Sequence, residues 1–146
     1  MSVVTAVLIC GGCRYPRDKP NVQYGSVPFQ FGNTTPVEIT ANVHASGTYH
    51  LYFILNNDSL PKNPQGHTPS WLDVPVRVLV LTNGQQALDK KVSRLYGINW
   101  VKDLSCYSLT LFHGEMNDEV VCRVQDVGPG DIEGRGSLNL QQMRHH

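Results

Sequence analysis

The run Val74-Pro75-Val76-Arg77-Val78-Leu79-Val80-Leu81-Thr82, followed by Asn83-Gly84, is the stretch that decides the fold of this 146-residue chain. Its β-branched and aliphatic residues are typical of a buried strand. The Asn-Gly pair favours a type I′ turn, because both central positions of that turn need a positive φ. The sequence therefore predicts a β-hairpin here, with a return strand from about Gln85 to Val92.

Strand patterns continue on both sides of this hairpin. Further strands are predicted at 37–43, 48–55, 105–112, 119–125 and 137–141, with the first two and the next two each pairing as a hairpin. Only residues 86–95 could hold a helix instead. Six to eight short strands with turn signals predict a single antiparallel all-β sandwich, immunoglobulin-like or jelly-roll-like, over residues 36–141. Residues 142–146 are expected to be a disordered tail.

The charge composition argues against one class of partner. Twelve Lys and Arg residues balance twelve Asp and Glu residues, and charged residues make up only 16% of the chain. Nucleic-acid sites usually need clustered Lys and Arg. We therefore expect no nucleic-acid partner, and no motif in the sequence predicts a cofactor.

The first twelve residues, MSVVTAVLICGG, form an uncharged, largely apolar segment. It is too short to cross a bilayer as a helix, and it matches the apolar region of a secretory signal, although the usual positive charges before it are missing. Gly11-Gly12-Cys13 resembles the bacterial lipoprotein signal, with a departure at Cys10, where that family prefers Leu. The resemblance implies that residues 1–12 are removed and that Cys13 carries lipid.

Other interpretations of the N-terminus stay open. Residues 3–10 could instead form a buried first strand, and Cys10 and Cys13 could form a redox dithiol or part of a metal site. Residues 13–35 mix Pro, charged and polar residues without an apolar period, so they are predicted to be a disordered tether.

The two remaining cysteines, Cys106 and Cys122, fall on the strands predicted at 105–112 and 119–125. A hairpin with its loop around His113 to Glu115 would set them opposite one another, at a separation that a disulfide accepts. An oxidising compartment would then form the bond. The alternative is that both are small buried apolar residues.

The segment 57–73 is predicted to be a long loop because it holds three prolines and several turn-forming residues. Loops of this length are uncommon unless they are functional or disordered. His67 and Trp71 are therefore the candidate partner-binding residues, since an exposed aromatic side chain often anchors a protein partner. The alternative is that Trp71 packs under the loop and closes one end of the core.

No pattern in the sequence predicts a catalytic or metal site. The nucleophile motif G-x-S-x-G is absent. His44 and His50 flank a turn, but two imidazoles do not complete the three or four ligands that zinc usually takes. We therefore expect a protein without enzymatic activity.

Two short motifs, Gly47-Thr48-Tyr49-His50-Leu51 and Pro75-Val76-Arg77-Val78, resemble small bacterial β-sandwich domains over residues 36–140. Those domains are often lipoproteins and mostly of unknown function. The resemblance implies the fold and a cell-envelope address, periplasmic or associated with the outer membrane, and it transfers no active-site residue.

Fold class and address together predict a lipid-anchored, non-enzymatic protein-binding domain, such as an immunity or inhibitor protein that blocks a toxin or an envelope hydrolase. The alternative is a small β-sandwich enzyme or thiol-redox protein that uses its Cys and His residues.

Overall fold

A computed structural model describes residues 22–62, 64–128 and 133–143. The strands are β1 (Val22–Gln30), β2 (Val37–Asn42), β3 (Gly47–Asn56), β4 (Trp71–Thr82), β5 (Gln85–Val101), β6 (Leu104–Gly114), β7 (Glu119–Asp126) and β8 (Arg135–Gln142). One short 3-10 helix, Asn57–Ser59, follows β3. Among these residues, no helix has the length and apolar character needed to cross a membrane.

The eight strands form one antiparallel sheet in the order β1-β8-β3-β6-β5-β4-β7-β2. Strands β5 and β6 pair only where Tyr96–Val101 meets Leu104–Ser108. The sheet folds over at this corner, so that β1-β8-β3-β6 make a first layer and β5-β4-β7-β2 a second layer. The predicted all-β antiparallel sandwich is confirmed.

The core lies between the layers and takes side chains from both of them. Fully or almost fully buried members include Phe53, Tyr107 and Leu138 from the first layer and Ile39, Val76 and Val120 from the second. Burying one such side chain contributes roughly 1.5–3 kcal/mol. At the far edges, a Cβ on Gly25 of β1 would lie 2.5 Å from Cγ2 of Ile39 in β2. The absence of a side chain at Gly25 therefore lets the two layers close.

The hairpin predicted around Asn83-Gly84 is confirmed. Both residues have positive φ, 51° and 80°, and Thr82 lies opposite Gln85. The return strand is longer than predicted and runs to Val101, so the helix considered for 86–95 is wrong. In the first half of β5 most side chains are exposed and polar, which dilutes the apolar alternation that identifies a strand.

The other two predicted hairpins are wrong, although their four strands exist. Strand β2 pairs with β7, β3 pairs with β6 and β8, and β7 pairs with β4 and β2. The connections cross from one layer to the other instead of reversing within it. At the crossing before β7, the Asn117 amide donates to the Val43 carbonyl over 2.9 Å, and the Val43 amide donates to the Asp118 carbonyl over 3.0 Å.

The folded domain begins earlier than predicted. Residues Val22–Gln30 form β1, which pairs with β8 and contributes Phe29 to the core, so the tether predicted for 13–35 is wrong over this range. Pro28 is tolerated because β1 is an edge strand. Residues 13–21 and 144–146 lie outside the described residues, as does the proposed signal segment 1–12.

Candidate functional site

Trp71 lies on the outer surface of the second layer. It is the first residue of β4, and the period of two along that strand buries Leu72 and Val74 while Trp71 and Asp73 point outward. The indole is 49% exposed, whereas Leu72 is 2% exposed. Leu72 therefore closes the core at this end, and the alternative in which Trp71 does so is wrong.

Three side chains surround Trp71 on this surface. Tyr96 of β5 lies directly opposite it and is 59% exposed. The guanidinium carbon of Arg94 lies 5.2 Å from the centroid of the indole ring, a cation–π distance. Arg94 Nε donates to Asp73 Oδ1 over 2.6 Å. We call Trp71, Asp73, Arg94 and Tyr96 the aromatic cluster.

Hydrogen bonds also fix the charges of this cluster. The bond with Asp73 is the main cause that raises the pKa of Arg94 above its ordinary value, and a smaller contribution comes from Tyr96. Arg94 therefore stays protonated over the whole physiological range. Because its charge is balanced by Asp73, the cluster presents aromatic surface with hydrogen-bonding groups at its rim and no net charge.

The backbone just before Trp71 is held in place from below. The hydroxyl of the buried Tyr107 donates to the Pro69 carbonyl over 2.7 Å, and the Gly97 amide donates to the Ser70 carbonyl over 2.7 Å. The entry into β4 is thus bound to both β5 and β6. This support holds the aromatic cluster in one arrangement.

Further exposed apolar side chains continue from the cluster along β5. Of the seven large hydrophobic residues that are exposed in the described part of the chain, five lie at this corner: Trp71, Tyr96, Ile98, Trp100 and Val101. Trp100 lies against Gly97, where an added Cβ would be 2.7 Å from its Cζ2 atom. Concentrated exposed apolar surface of this kind often marks an interaction site.

The two predicted partner-binding residues, His67 and Trp71, lie in different parts of the structure. His67 is exposed in the loop that leads into β4 and is not one of the four residues of the aromatic cluster. Tyr96 and Arg94 were not predicted from the sequence. The register of the hairpin could have identified them. Counting back from Thr82 and forward from Gln85 by equal numbers of residues places Tyr96 opposite Trp71 and Arg94 opposite Asp73.

The predicted Cys106–Cys122 disulfide is wrong. Cys122 is a free thiol buried in the core, and desolvation raises its pKa to about 12. Cys122 of β7 points into the core between the layers, whereas Cys106 of β6 belongs to a separate cluster on the outer side of the first layer, so the two cysteines do not face each other. Cys106 packs against Tyr52 and Ile54 and is disulfide-bonded, but not to Cys122. Cys10 and the proposed lipidation site Cys13 lie outside the described residues.

A Ser–His contact lies on the outer side of the first layer. His50 Nε2 is 2.9 Å from Ser108 Oγ, and the imidazole stacks on Tyr52 with 5.1 Å between ring centroids. Desolvation lowers the pKa of His50 to about 4. A nucleophile and its base must meet a substrate, yet His50 is only 5% exposed. The contact is therefore buried where a substrate does not reach it.

The described residues offer no metal centre, since no group of three or more His, Cys, Asp or Glu side chains converges among them. His44 is exposed beside Tyr24, with 5.8 Å between ring centroids, whereas His50 is buried. The two imidazoles that flank the same turn thus occupy different environments.

Comparisons with known proteins concern the fold. No protein-family model matches the chain, and no curated protein does. A solved protein of Sulfurospirillum deleyianum is similar with a TM-score of 0.52 and 10% identity, over 81% of this chain and 97% of that one. A family 35 carbohydrate-binding module from Clostridium thermocellum gives a TM-score of 0.42 and 11% identity, over 84% and 98%. Identities this low transfer no function.

Proposed function

We propose that this protein is a non-enzymatic binding domain that holds a protein partner through the aromatic cluster. The observation that carries the proposal is the half-exposed Trp71, with Tyr96 directly across the hairpin and Arg94 over the indole face. Trp, Tyr and Arg are the residue types most enriched among those that dominate protein-binding energies. Here all three stand together on rigid strands.

The energetics of the cluster favour association with another protein. Trp and Tyr offer large apolar contact area together with a polar group at the rim. The ion pair of Arg94 and Asp73 is already formed, so the partner does not have to neutralise a lone charge at the centre of the interface. The hydrogen bonds that hold Pro69 and Ser70 keep the surface in one arrangement.

Site-specific photo-crosslinking in the native organism tests this proposal. A photoreactive phenylalanine analogue replaces Tyr96, and the matched control places the same analogue at Met116, which is similarly exposed but lies between β6 and β7. We expect a discrete crosslinked protein from position 96 only. Adding Trp71→Ala to the position-96 variant should abolish that product.

Two outcomes contradict the proposal. Equal products from positions 96 and 116 would show adventitious contact with neighbouring proteins. A product that survives Trp71→Ala unchanged would show that the indole takes no part in binding. Mass spectrometry of the crosslinked band then identifies the partner and tests the narrower proposal of an immunity or inhibitor role against a toxin or hydrolase.

A cell-envelope address with a lipid anchor on Cys13 is a separate proposal. If the N-terminus is processed as the lipoprotein signal implies, Cys10 is lost and the sulfur of Cys13 becomes a thioether. The intact mass of the mature protein tests this proposal: loss of residues 1–12 with a diacylglycerol on Cys13 supports it, and an unmodified N-terminus contradicts it.

A further inference from the structure

A second feature lies farther along the outer surface of the second layer. An open pocket of about 420 Å³ is lined by Arg77 of β4, by Asp89, Lys90 and Lys91 of β5, and by Val127. We call it the basic groove. The residues that line it include three cations and one carboxylate, in a chain whose formal net charge is zero. Arg77, Asp89 and Lys91 share the outward face of the hairpin, and Lys90 lies beside them in the strand.

The single carboxylate of the groove is already paired. Arg77 donates to Asp89 twice, from Nε to Oδ1 over 3.0 Å and from Nη2 to Oδ2 over 2.7 Å. This hydrogen-bonded pair raises the pKa of Arg77 and lowers that of Asp89. Within the described parts of the chain, no ion pair involves Lys90 or Lys91. The two lysines therefore hold the uncompensated charge.

The register makes this arrangement unfavourable for the domain alone. Lys91 lies directly opposite Arg77 across the β4–β5 ladder. Like charges in directly opposed positions destabilise an antiparallel pair. An acidic group bound between Arg77 and Lys91 would relieve this repulsion. An acidic residue at position 91 would also relieve it, but the sequence has a lysine there.

We propose that the basic groove binds the carboxylate side chains of an acidic segment of the protein partner. This inference rests on the proposed function, because it names the chemistry of the partner that the aromatic cluster holds. Trp71 and Arg77 are both outward-facing on β4, and at about 3.3 Å per residue their Cα atoms are roughly 20 Å apart. An extended segment of about six residues spans that distance and contacts both features.

A synthetic hexaglutamate peptide is the probe for the groove. In an NMR titration of the full chain at low salt, we expect shift changes centred on the amides of Arg77, Lys90 and Lys91. Affinity should fall several-fold between about 0.05 and 0.5 M salt, because exposed charges are screened. The Lys91→Glu variant should bind at least fivefold more weakly, and the matched charge change Lys62→Glu, in the exposed loop before β4, should bind like the unmodified protein.

The melting temperature of the Lys91→Glu variant distinguishes loss of the binding site from general damage to the fold. It places a carboxylate opposite Arg77, so it should raise the melting temperature while it weakens peptide binding. A lowered melting temperature together with lost binding would indicate misfolding, and Lys90→Gln with Lys91→Gln then repeats the titration without adding charge. Unchanged hexaglutamate affinity in that double variant overturns the proposal.

Inorganic phosphate distinguishes an acidic segment from any small anion. If phosphate shifts the same amides as strongly as hexaglutamate at equal charge concentration, the groove is an unspecific anion site and the proposal fails. Trp71→Ala should leave hexaglutamate binding intact, since the probe carries no side chain for the indole. A failed crosslink at position 96 with intact peptide binding would therefore refute the proposed function alone, and the reverse result would refute only the groove.

Discussion

The outer surfaces of the two layers differ sharply although both belong to the same sheet. On the first layer, the outward side chains of Tyr52, Ile54 and Cys106 are at most 2% exposed and form a small apolar cluster of their own. On the second layer, the outward positions hold Trp71 and ion pairs such as Arg77 with Asp89, all in contact with solvent. The first surface is buried, and the second is exposed to solvent.

This difference shows what the period of two decides and what it leaves free. Alternation buries one face of each strand in the core. Whether the opposite face is buried or exposed depends on the residue types that it carries. Uncharged polar residues such as Asn139 and Gln141 accompany the buried outer cluster of the first layer. Three Arg–acid pairs cover the second: Arg77–Asp89, Arg94–Asp73 and Arg123–Glu38.

The largest effect that separates the two surfaces is expected from a pair of isoleucines. Ile54→Ala removes a buried side chain and should lower the free energy of unfolding by about 2–4 kcal/mol. Ile98→Ala removes a side chain that is 44% exposed, and its effect should stay near 0.5 kcal/mol. Urea unfolding monitored by circular dichroism measures both. Similar losses in the two variants would contradict the contrast.

The second effect is a dependence of the free energy of unfolding on pH, which comes from His50 in the first layer. Burial lowers the pKa of His50 to about 4 from an ordinary 6.5, so the unfolded chain binds the proton more readily than the folded one. The contribution of His50 is thus full above pH 6.5 and declines as the pH falls through 6.5 towards 4. The loss should reach about 3 kcal/mol near pH 4.

His50→Gln isolates this term, because glutamine retains a polar group near Ser108 but does not titrate. Unfolding free energies measured from pH 7.5 to 4 should decline less in the variant than in the unmodified protein. Equal slopes would mean that His50 is accessible to protons in the folded state. His44→Gln is the control, since His44 flanks the same turn but is exposed.

The smallest effect on stability is expected at the aromatic cluster. Trp71→Ala should change the free energy of unfolding by about 1 kcal/mol or less, because the indole is half exposed and Leu72 fills the core beside it. The same substitution should abolish the crosslink at position 96. A loss of several kcal/mol would instead give Trp71 a role in the core, and Leu72→Ala provides the comparison for that outcome.

The β4–β5 hairpin at the centre of the second layer could be predicted from the residues of its turn. Asn83-Gly84 fixed both the turn and the register, and simple counting from it places Tyr96 opposite Trp71. Two irregularities interrupt the ladder, one between Asp73 and Val76 and one near Val80, and they shift the register in opposite directions. Their effects cancel before the strands reach the aromatic cluster.

The pairings that were mispredicted depend on contacts distant in sequence. A short connection can reverse within a layer or cross to the other, and the patterns on either side of it are the same. The link before β7 crosses because its backbone bonds to Val43. The assignment of Cys106 and Cys122 failed for that reason, and β1 was missed because Gly25 and Pro28 interrupt its pattern.

The corner between β5 and β6 has a mechanical meaning as well. It is the hydrogen-bonded junction of the two layers in the strand order, and Tyr96 belongs to it. A force that pulled the layers apart would load these few backbone bonds first. Trp71 and Tyr96 pair across the β4–β5 ladder, so a partner bound to them would lie at one end of that junction and leave its β6 side free to separate.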